Sequence, residues 1–173
     1  MRITTKRAVI ALAIPAAAVV GITTIVGAGH ENIVLQTELE GRNEVGDDAM
    51  SRANVGDRNG RGEAYVFGID GDPTTLCYVL TVDDIGEAAA AHIHEGADGA
   101  NGPVVVNLAA PGDGNSADCL TEGEMVGPNQ DVPAFDGTTV AEVLGAPEDY
   151  YVNVHTELYP DGAIRGQLVA NEG

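Results

Sequence analysis

Turn-forming residues divide this chain into apolar segments that are short for helices. The sequence contains 23 glycines and 8 prolines, and many of them cluster with Asp and Asn between segments that alternate apolar and polar residues. Alternation with a period of two is the pattern of a half-buried β-strand. Many short strands, frequent glycine turns and an aromatic content of 4% predict an all-β protein, an antiparallel and Greek-key-like β-sandwich with one short helix.

The positions of the elements follow from the same pattern. A Thr cap, the apolar run VAEVL and a final glycine predict a helix over residues 138–145. The turn sequence Gly71-Asp72-Pro73 predicts a hairpin, and the polar, aperiodic residues 42–62 predict a long loop. Residues 57–63 have a weak likeness to a calcium-binding loop, since they lack the ligands at its later positions. Strands are predicted over residues 33–39, 63–69, 75–82, 89–94, 104–108, 150–156 and 163–169, with shorter pieces around Cys119 and Met125.

The last hairpin has a register that its own pattern predicts. The segment from Tyr159 to Gly162 is a strong turn sequence, because its proline presets the second position and its glycine accepts a positive φ. If Val152 faces the core, then alternate residues of both strands face away from it. Pairing Val152 with Leu168 then places His155 opposite Arg165, and Asn153 opposite Gln167.

Residues 1–28 have the order of a secretory signal peptide. Basic residues at positions 2, 6 and 7 precede an apolar run from Ala8 to Val26, and the small residues Gly27 and Ala28 follow. We therefore expect cleavage near Gly29, a single domain over residues 29–173, and a secreted, extracellular location. The apolar run is also long enough for the alternative, an uncleaved N-terminal anchor that leaves the domain facing outside.

The acidity of the chain excludes two classes of partner. All 27 acidic residues lie after position 30, so residues 29–173 carry five arginines against 27 acidic groups and a formal net charge of −22. Such a surface repels nucleic acid and anionic lipid. We expect no nucleic-acid partner and no membrane insertion after signal cleavage. A saline habitat and simple solubility explain the acidity equally well.

The two cysteines, Cys77 and Cys119, are expected to form a disulfide bond. An even count in an exported chain favours a disulfide, and the sequence contains no C-x-x-C pair. Free thiols and metal ligation are the alternatives.

Two stretches resemble the signatures of a known family. The segments AAHIHEGADGANGPVVVNL at residues 90–108 and YYVNVHTELYPDGAIRGQL at residues 150–168 are similar to the two signature stretches of CHRD (chordin-type) domains. The strand TLCYVLTV and the later Cys119 are similar to a disulfide-bearing, secreted bacterial version. The resemblance covers residues 33–169 and implies an extracellular β-sandwich. It implies no reaction, which favours a non-catalytic binding or structural module with an unknown extracellular partner.

Three of the four histidines lie in these two stretches: His92, His94 and His155. The H-x-H pair places two imidazoles on one face of a strand, about 6–7 Å apart, and a third imidazole from a neighbouring strand would complete a site for copper or zinc. The arrangement is similar to the copper site of Cu,Zn superoxide dismutase. Only His30 remains for a second metal, which excludes a dinuclear site by count. The side chains expected around the three ligands are those of Arg165, Asn153 and Glu95.

The alternative is a hydrogen-bonding role for the same histidines. In that case the imidazoles bind loop carbonyls and nearby carboxylates such as Glu95 and Glu157. Serine catalysis has no support, because a G-x-S-x-G motif is absent and Ser51 and Ser116 are the only serines. The sequence thus leaves two main hypotheses, a non-catalytic extracellular module and a mononuclear copper- or zinc-binding protein.

Overall fold

The computed structural model describes residues 33–46 and 55–171, so the predicted signal peptide lies outside the described residues. Within them, no helix has the length and apolarity needed to cross a bilayer. The described chain forms eleven strands and one α-helix. In chain order these are β1 (Val34–Glu40), β2 (Arg61–Ile69), β3 (Asp72–Asp83), β4 (Ala88–Glu95), β5 (Val104–Leu108), β6 (Asn115–Thr121), β7 (Met125–Val126), β8 (Val132–Pro133), α1 (Val140–Gly145), β9 (Tyr150–Thr156), β10 (Ile164–Gln167) and β11 (Val169–Ala170).

Nine of these strands form one sheet, and all its pairings are antiparallel. The strand order is β5-β4-β9-β10-β1-β2-β3-β6, and β11 pairs with β1. The chain passes from β3 to the far half of the sheet at β4 and returns from β5 to β6. These crossovers confirm the predicted antiparallel, all-β, Greek-key-like class.

The two ends of the sheet approach each other at Ala109. The backbone N–H of Ala109 donates to the hydroxyl of Tyr78 on β3 (2.8 Å), and the hydroxyl of Ser116 on β6 donates to the Ala109 carbonyl (2.8 Å). The outer edge of β5 is also covered, because Val106 forms a bridge with Phe135. The sheet is therefore nearly closed.

Alternate residues from both halves of the sheet fill one core. Burial of a single aliphatic side chain stabilises the fold by about 1.5–3 kcal/mol, so this cluster is the main source of stability. The helix α1 adds Val140 and Val143 to it. Core residues without solvent exposure include Leu35, Leu39, Val66, Leu76, Leu80, Ile93, Val106, Val152, Val154, Ile164 and Leu168.

Two local predictions are confirmed. Cys77 on β3 lies directly opposite Cys119 on β6, and the two form a disulfide bond. The predicted helix begins after Thr139, which forms a capping box with Glu142: the Thr139 side chain accepts from the Glu142 N–H, and the Glu142 carboxylate accepts from the Thr139 N–H.

The predicted register of the last hairpin is wrong by two residues. Val152 was expected opposite Leu168, with His155 opposite Arg165. The observed pairs are Ile164 with Val154, Arg165 with Asn153, Gly166 with Val152, and Gln167 with Tyr151.

The reason for this difference is a tighter loop. The Gly162 N–H donates to the Tyr159 carbonyl (3.2 Å), and Ala163 already donates to the Val154 carbonyl (2.7 Å). The ladder therefore begins two residues earlier on the second strand. A slip of two residues preserves the alternation of side chains, so Arg165 still points away from the core as predicted.

The face of β9 and β10 that points away from the core is nevertheless buried. Arg165 and Asn153 are only 2% and 3% exposed. Residues 96–102, which connect β4 to β5, and Glu44, which follows β1, lie over the β4-β9-β10 part of the sheet. The polar side chains of this face are consequently enclosed between the sheet and its loops.

Candidate metal centre

The structure brings His92, His94 and His155 together. The H-x-H pair lies on one face of β4, and β9 is its neighbour in the sheet. The ring centroids are 5.7 Å apart for His92 and His94, 5.0 Å for His92 and His155, and 5.9 Å for His94 and His155. One ring nitrogen from each residue lies within 4.8 Å of the other two.

Two of these imidazoles are held in orientation by the backbone. His94 Nδ1 lies 3.0 Å from the Gly102 carbonyl, and His155 Nδ1 lies 3.0 Å from the Pro160 carbonyl. A carbonyl only accepts, so each Nδ1 carries the proton in a neutral ring and each Nε2 keeps a lone pair. This is the tautomer and the outer hydrogen bond that metal-ligating histidines show.

Three of the four remaining ring nitrogens are buried without partners. His92 Nδ1, His94 Nε2 and His155 Nε2 have no hydrogen-bond partner among the described residues. Buried polar atoms are usually paired, so three unpaired nitrogens in one cluster require an explanation. The hydrogen-bonding role and the ligand role are therefore compatible, because different nitrogens serve them.

Burial lowers the pKa of all three imidazoles. The pKa of His92 falls to about 4, through burial first and then through the proximity of His155 and His94. Burial also lowers the pKa of His94 and of His155, although their hydrogen bonds to Gly102 and Pro160 act in the opposite direction. At neutral pH the three rings are therefore uncharged, which is the form that binds metal.

Gly102 allows the loop over β4 to lie close to the histidines. A Cβ atom at Gly102 would lie 1.6 Å from the Glu95 carbonyl oxygen, so only glycine fits. The Gly102 N–H donates to the Tyr151 hydroxyl (3.2 Å), and its carbonyl binds His94. Any side chain at this position would displace the carbonyl that orients the His94 ring.

Arg165 fixes the rest of this loop. Its guanidinium carbon lies 3.4 Å from the centroid of the Tyr151 ring, and that ring stacks on His94 with centroids 4.8 Å apart. The side chain thus connects the loop to the sheet directly behind the histidines. Its hydrogen bonds go to the carbonyls of Ala97 (3.3 Å) and Ala100 (2.8 Å) and to Asn101 Oδ1 (3.2 Å).

The predicted surroundings of the histidines are only partly found. Arg165 and Asn153 lie on the same enclosed face, and Arg165 lowers the pKa of His94 rather than that of His155. Glu95 is exposed at the end of β4, since it follows His94 and points to the other side of the strand.

Sequence reasoning missed Tyr151 and Glu44. If Val152 faces the core, alternation also places its neighbour Tyr151 on the histidine face, so the sequence contained a signal for this residue. Glu44 lies in an aperiodic segment, and no pattern signals its role. Burial raises the pKa of Glu44 to about 7, against the lowering effects of Arg165 and of a hydrogen bond from Asn153.

Fold and site together define a disulfide-bonded, nearly closed all-β domain with a histidine cluster on one covered face. A family model described as the CHRD domain matches residues 35–168. The chain therefore belongs to the CHRD domain family, as the resemblance implied. No curated protein and no solved structure matches it significantly.

Proposed function

We propose that this chain is an extracellular, non-catalytic CHRD module that binds one copper or zinc ion through His92, His94 and His155. The observation that carries the proposal is the convergence of three imidazoles, each of which has one buried nitrogen without a partner among the described residues. CHRD membership supports a module of this kind, and the binding site gives it a specific chemistry.

The donor set favours copper or zinc. Imidazole nitrogens suit both ions, whereas calcium and magnesium require oxygen ligands. Both cysteines are joined in the disulfide bond, so thiolate does not compete. Ligands at ~2 Å around one ion lie roughly 3.3 Å apart, so nitrogens that are now up to 4.8 Å apart must approach each other by rotation of the rings.

Three protein ligands leave one coordination position open for water or another ligand. His92 and His155 are only partly buried, so rotation of their rings toward an ion would leave this position near the surface. A donor atom from an extracellular partner could occupy it, which links the metal to the binding role of the module.

Metal titration of the purified protein tests the proposal. We expect one equivalent of zinc or copper(II) to bind, and the affinity to fall as the pH drops through the lowered pKa values of the imidazoles, about 4 for His92, because the rings then take up protons. The His92→Ala variant should lose at least tenfold in affinity without unfolding, since no loop carbonyl depends on His92 Nδ1. His30→Ala is the matched control and should bind normally. Equal binding by His92→Ala and wild type would assign the ion to the acidic surface and overturn the proposal.

The extracellular location has its own test. Cleavage of the predicted signal peptide would leave a protein that begins near Gly29. N-terminal sequencing of the protein recovered from the medium checks this expectation. Recovery of intact Met1 in the membrane fraction would favour the anchored alternative.

A further inference from the structure

The carboxyl group of Glu44 is buried on the same covered face of the sheet as the proposed metal centre. Glu44 is 3% exposed, and Asn153 Nδ2 donates to its Oε2 at 3.4 Å. Asn153 in turn lies directly opposite His92 in the β4–β9 ladder and two residues before His155, on the same face of β9. The Glu44 and Asn153 side chains therefore continue the row of polar groups that the histidines begin.

This row has further unpaired atoms. Glu44 Oε1 and Asn153 Oδ1 are both buried without a partner among the described residues. Together with the three histidine nitrogens, they account for five of the six buried side-chain atoms that lack a partner in the described chain. On this face, therefore, both the histidine nitrogens and the side-chain oxygens of Glu44 and Asn153 lack hydrogen-bond partners among the described residues.

Glu44 has charged neighbours, but none of the described residues forms an ion pair with its carboxyl group. Arg165 on β10 is the nearby cation, but its guanidinium binds the loop, and no ion pair with Glu44 within 4 Å is found in the described part of the chain. Asp57 and Asp161 adjoin Gly56 and Gly162, at which an added Cβ atom would meet the Glu44 side chain. The histidines on β4 and β9 are neutral.

A divalent ion would add two positive charges to this face. Three neutral imidazoles supply no compensating negative charge, and Arg165 is already a buried cation. An uncompensated buried charge is strongly unfavourable. Glu44 is the one carboxyl group that is buried in the described part of the chain, and ionising it would supply the missing charge.

We propose that Glu44 is the counter-charge of the metal centre: its buried carboxyl group holds a proton in part of the metal-free molecules at neutral pH, and metal binding expels that proton. The inference rests on the proposed metal site. In the coupled step, the O–H bond of the Glu44 carboxyl breaks, the carboxylate keeps the electron pair, the proton goes to solvent, and the ion gains three nitrogen ligands. No oxidant or reductant is needed.

The protonation behaviour of Glu44 agrees with this role. Its pKa of about 7 leaves the group about half protonated at pH 7. A dication nearby favours the ionised form and lowers the pKa further. The histidines release few protons at this pH, because burial lowers their pKa values.

Calorimetric titration with zinc at pH 7, in two buffers of different ionisation enthalpy, counts the protons released. We expect wild type to release about half a proton more per zinc than Glu44→Gln, the fraction that a group of pKa about 7 holds at pH 7. The difference should vanish above pH 8.5, where Glu44 is already ionised. Ionisation of a zinc-bound water is common to both proteins and cancels. Glu63→Gln, which changes an exposed carboxyl on β2, is the matched control and should behave as wild type.

A second measurement needs no variant. The infrared difference spectrum of wild type should show the loss of one protonated carboxyl band when zinc is added at pH 6.5, where ordinary carboxyl groups are already ionised. An unchanged carboxyl region would overturn the inference even if Glu44→Gln fails to fold.

The two proposals fail in different ways. If wild type binds no zinc, the metal site itself is wrong. If wild type and Glu44→Gln both bind one zinc and release equal numbers of protons, the site stands and the role of Glu44 is refuted.

Discussion

The guanidinium carbon of Arg165 lies 3.4 Å from the centroid of the Tyr151 ring. A cation over an aromatic face gains electrostatic stabilisation that grows when water is excluded, and here Arg165 is 2% exposed. Since the same ring stacks on His94, the pair connects the stability of the domain to the geometry of the proposed site.

Replacement of Arg165 by Met should destabilise the domain by about 3 kcal/mol, because the carbonyls of the 96–102 loop lose their buried donor. Arg165→Lys should recover only part of this, since an ammonium cannot reproduce the planar fork. Urea denaturation measures the change. Arg61→Met, at a side chain that is 51% exposed, is the control and should change stability little. Equal stabilities for the two Met variants would contradict the structural role of Arg165.

The metal-free protein should lose stability through Glu44 as the pH rises. The folded-state pKa of about 7 lies above the ordinary value of 4.5, so the folded state binds more protons than the unfolded state between these values. The contribution of Glu44 to the free energy of unfolding is therefore complete below pH 4.5 and is lost as the pH approaches and passes 7. Glu44→Gln should remove this dependence and gain up to about 3 kcal/mol relative to wild type between pH 4.5 and 8.

The measurement is chemical denaturation at several pH values in the presence of a chelator. The histidines act with the opposite sign, because a lowered folded-state pKa removes stability as the pH falls below 6.5. Wild type and Glu44→Gln should both show this loss of stability at acid pH. Parallel stability curves for wild type and Glu44→Gln would show that Glu44 is not buried in an ionisable state.

Reduction of the Cys77–Cys119 bond should destabilise the domain without changing its fold. The bond closes a loop with a sequence separation of 42, for which chain entropy gives about 4 kcal/mol. Thermal unfolding with and without reductant measures the loss. A Cys77→Ser, Cys119→Ser double variant should unfold at the lower temperature under both conditions. Two reactive thiols in the unreduced, denatured protein would exclude the bond.

Salt should raise the melting temperature by several degrees between dilute buffer and molar sodium chloride. Residues 29–173 carry a formal net charge of −22, and screening weakens their mutual repulsion. Differential scanning calorimetry over this range checks the effect. A flat or falling melting temperature would indicate that the acidity serves solubility alone.

From the sequence, the side of the sheet on which each side chain lies could be predicted better than the residue that lies opposite it on the neighbouring strand. Alternation placed His92 and His94 on one side of β4 because the strand period is two, and β9 has the predicted bounds. Alternation does not distinguish registers that differ by two residues. Arg165 was therefore placed opposite His155 instead of Asn153.

Glu44 could not be predicted for a different reason. Its position depends on contacts between a loop and the covered face of the sheet, including the hydrogen bond from Asn153. Such contacts join residues 109 positions apart and leave no periodic trace in the sequence. The same holds for the carbonyls that bind Arg165.

The covered edge of β5 affects how the domain behaves when crowded. The N–H of Asn107 donates to the Ala134 carbonyl (2.9 Å), and the N–H of Asp136 donates to the Val105 carbonyl (2.9 Å), so this strand's backbone groups are already engaged on its outer side. An exposed strand edge is a template on which a second chain can add its own strand and begin a fibril. The 134–136 segment removes that template by contacts that salt does not screen. At this edge the domain thereby keeps a protection against fibrous self-association in any solution whose salt weakens its charge repulsion.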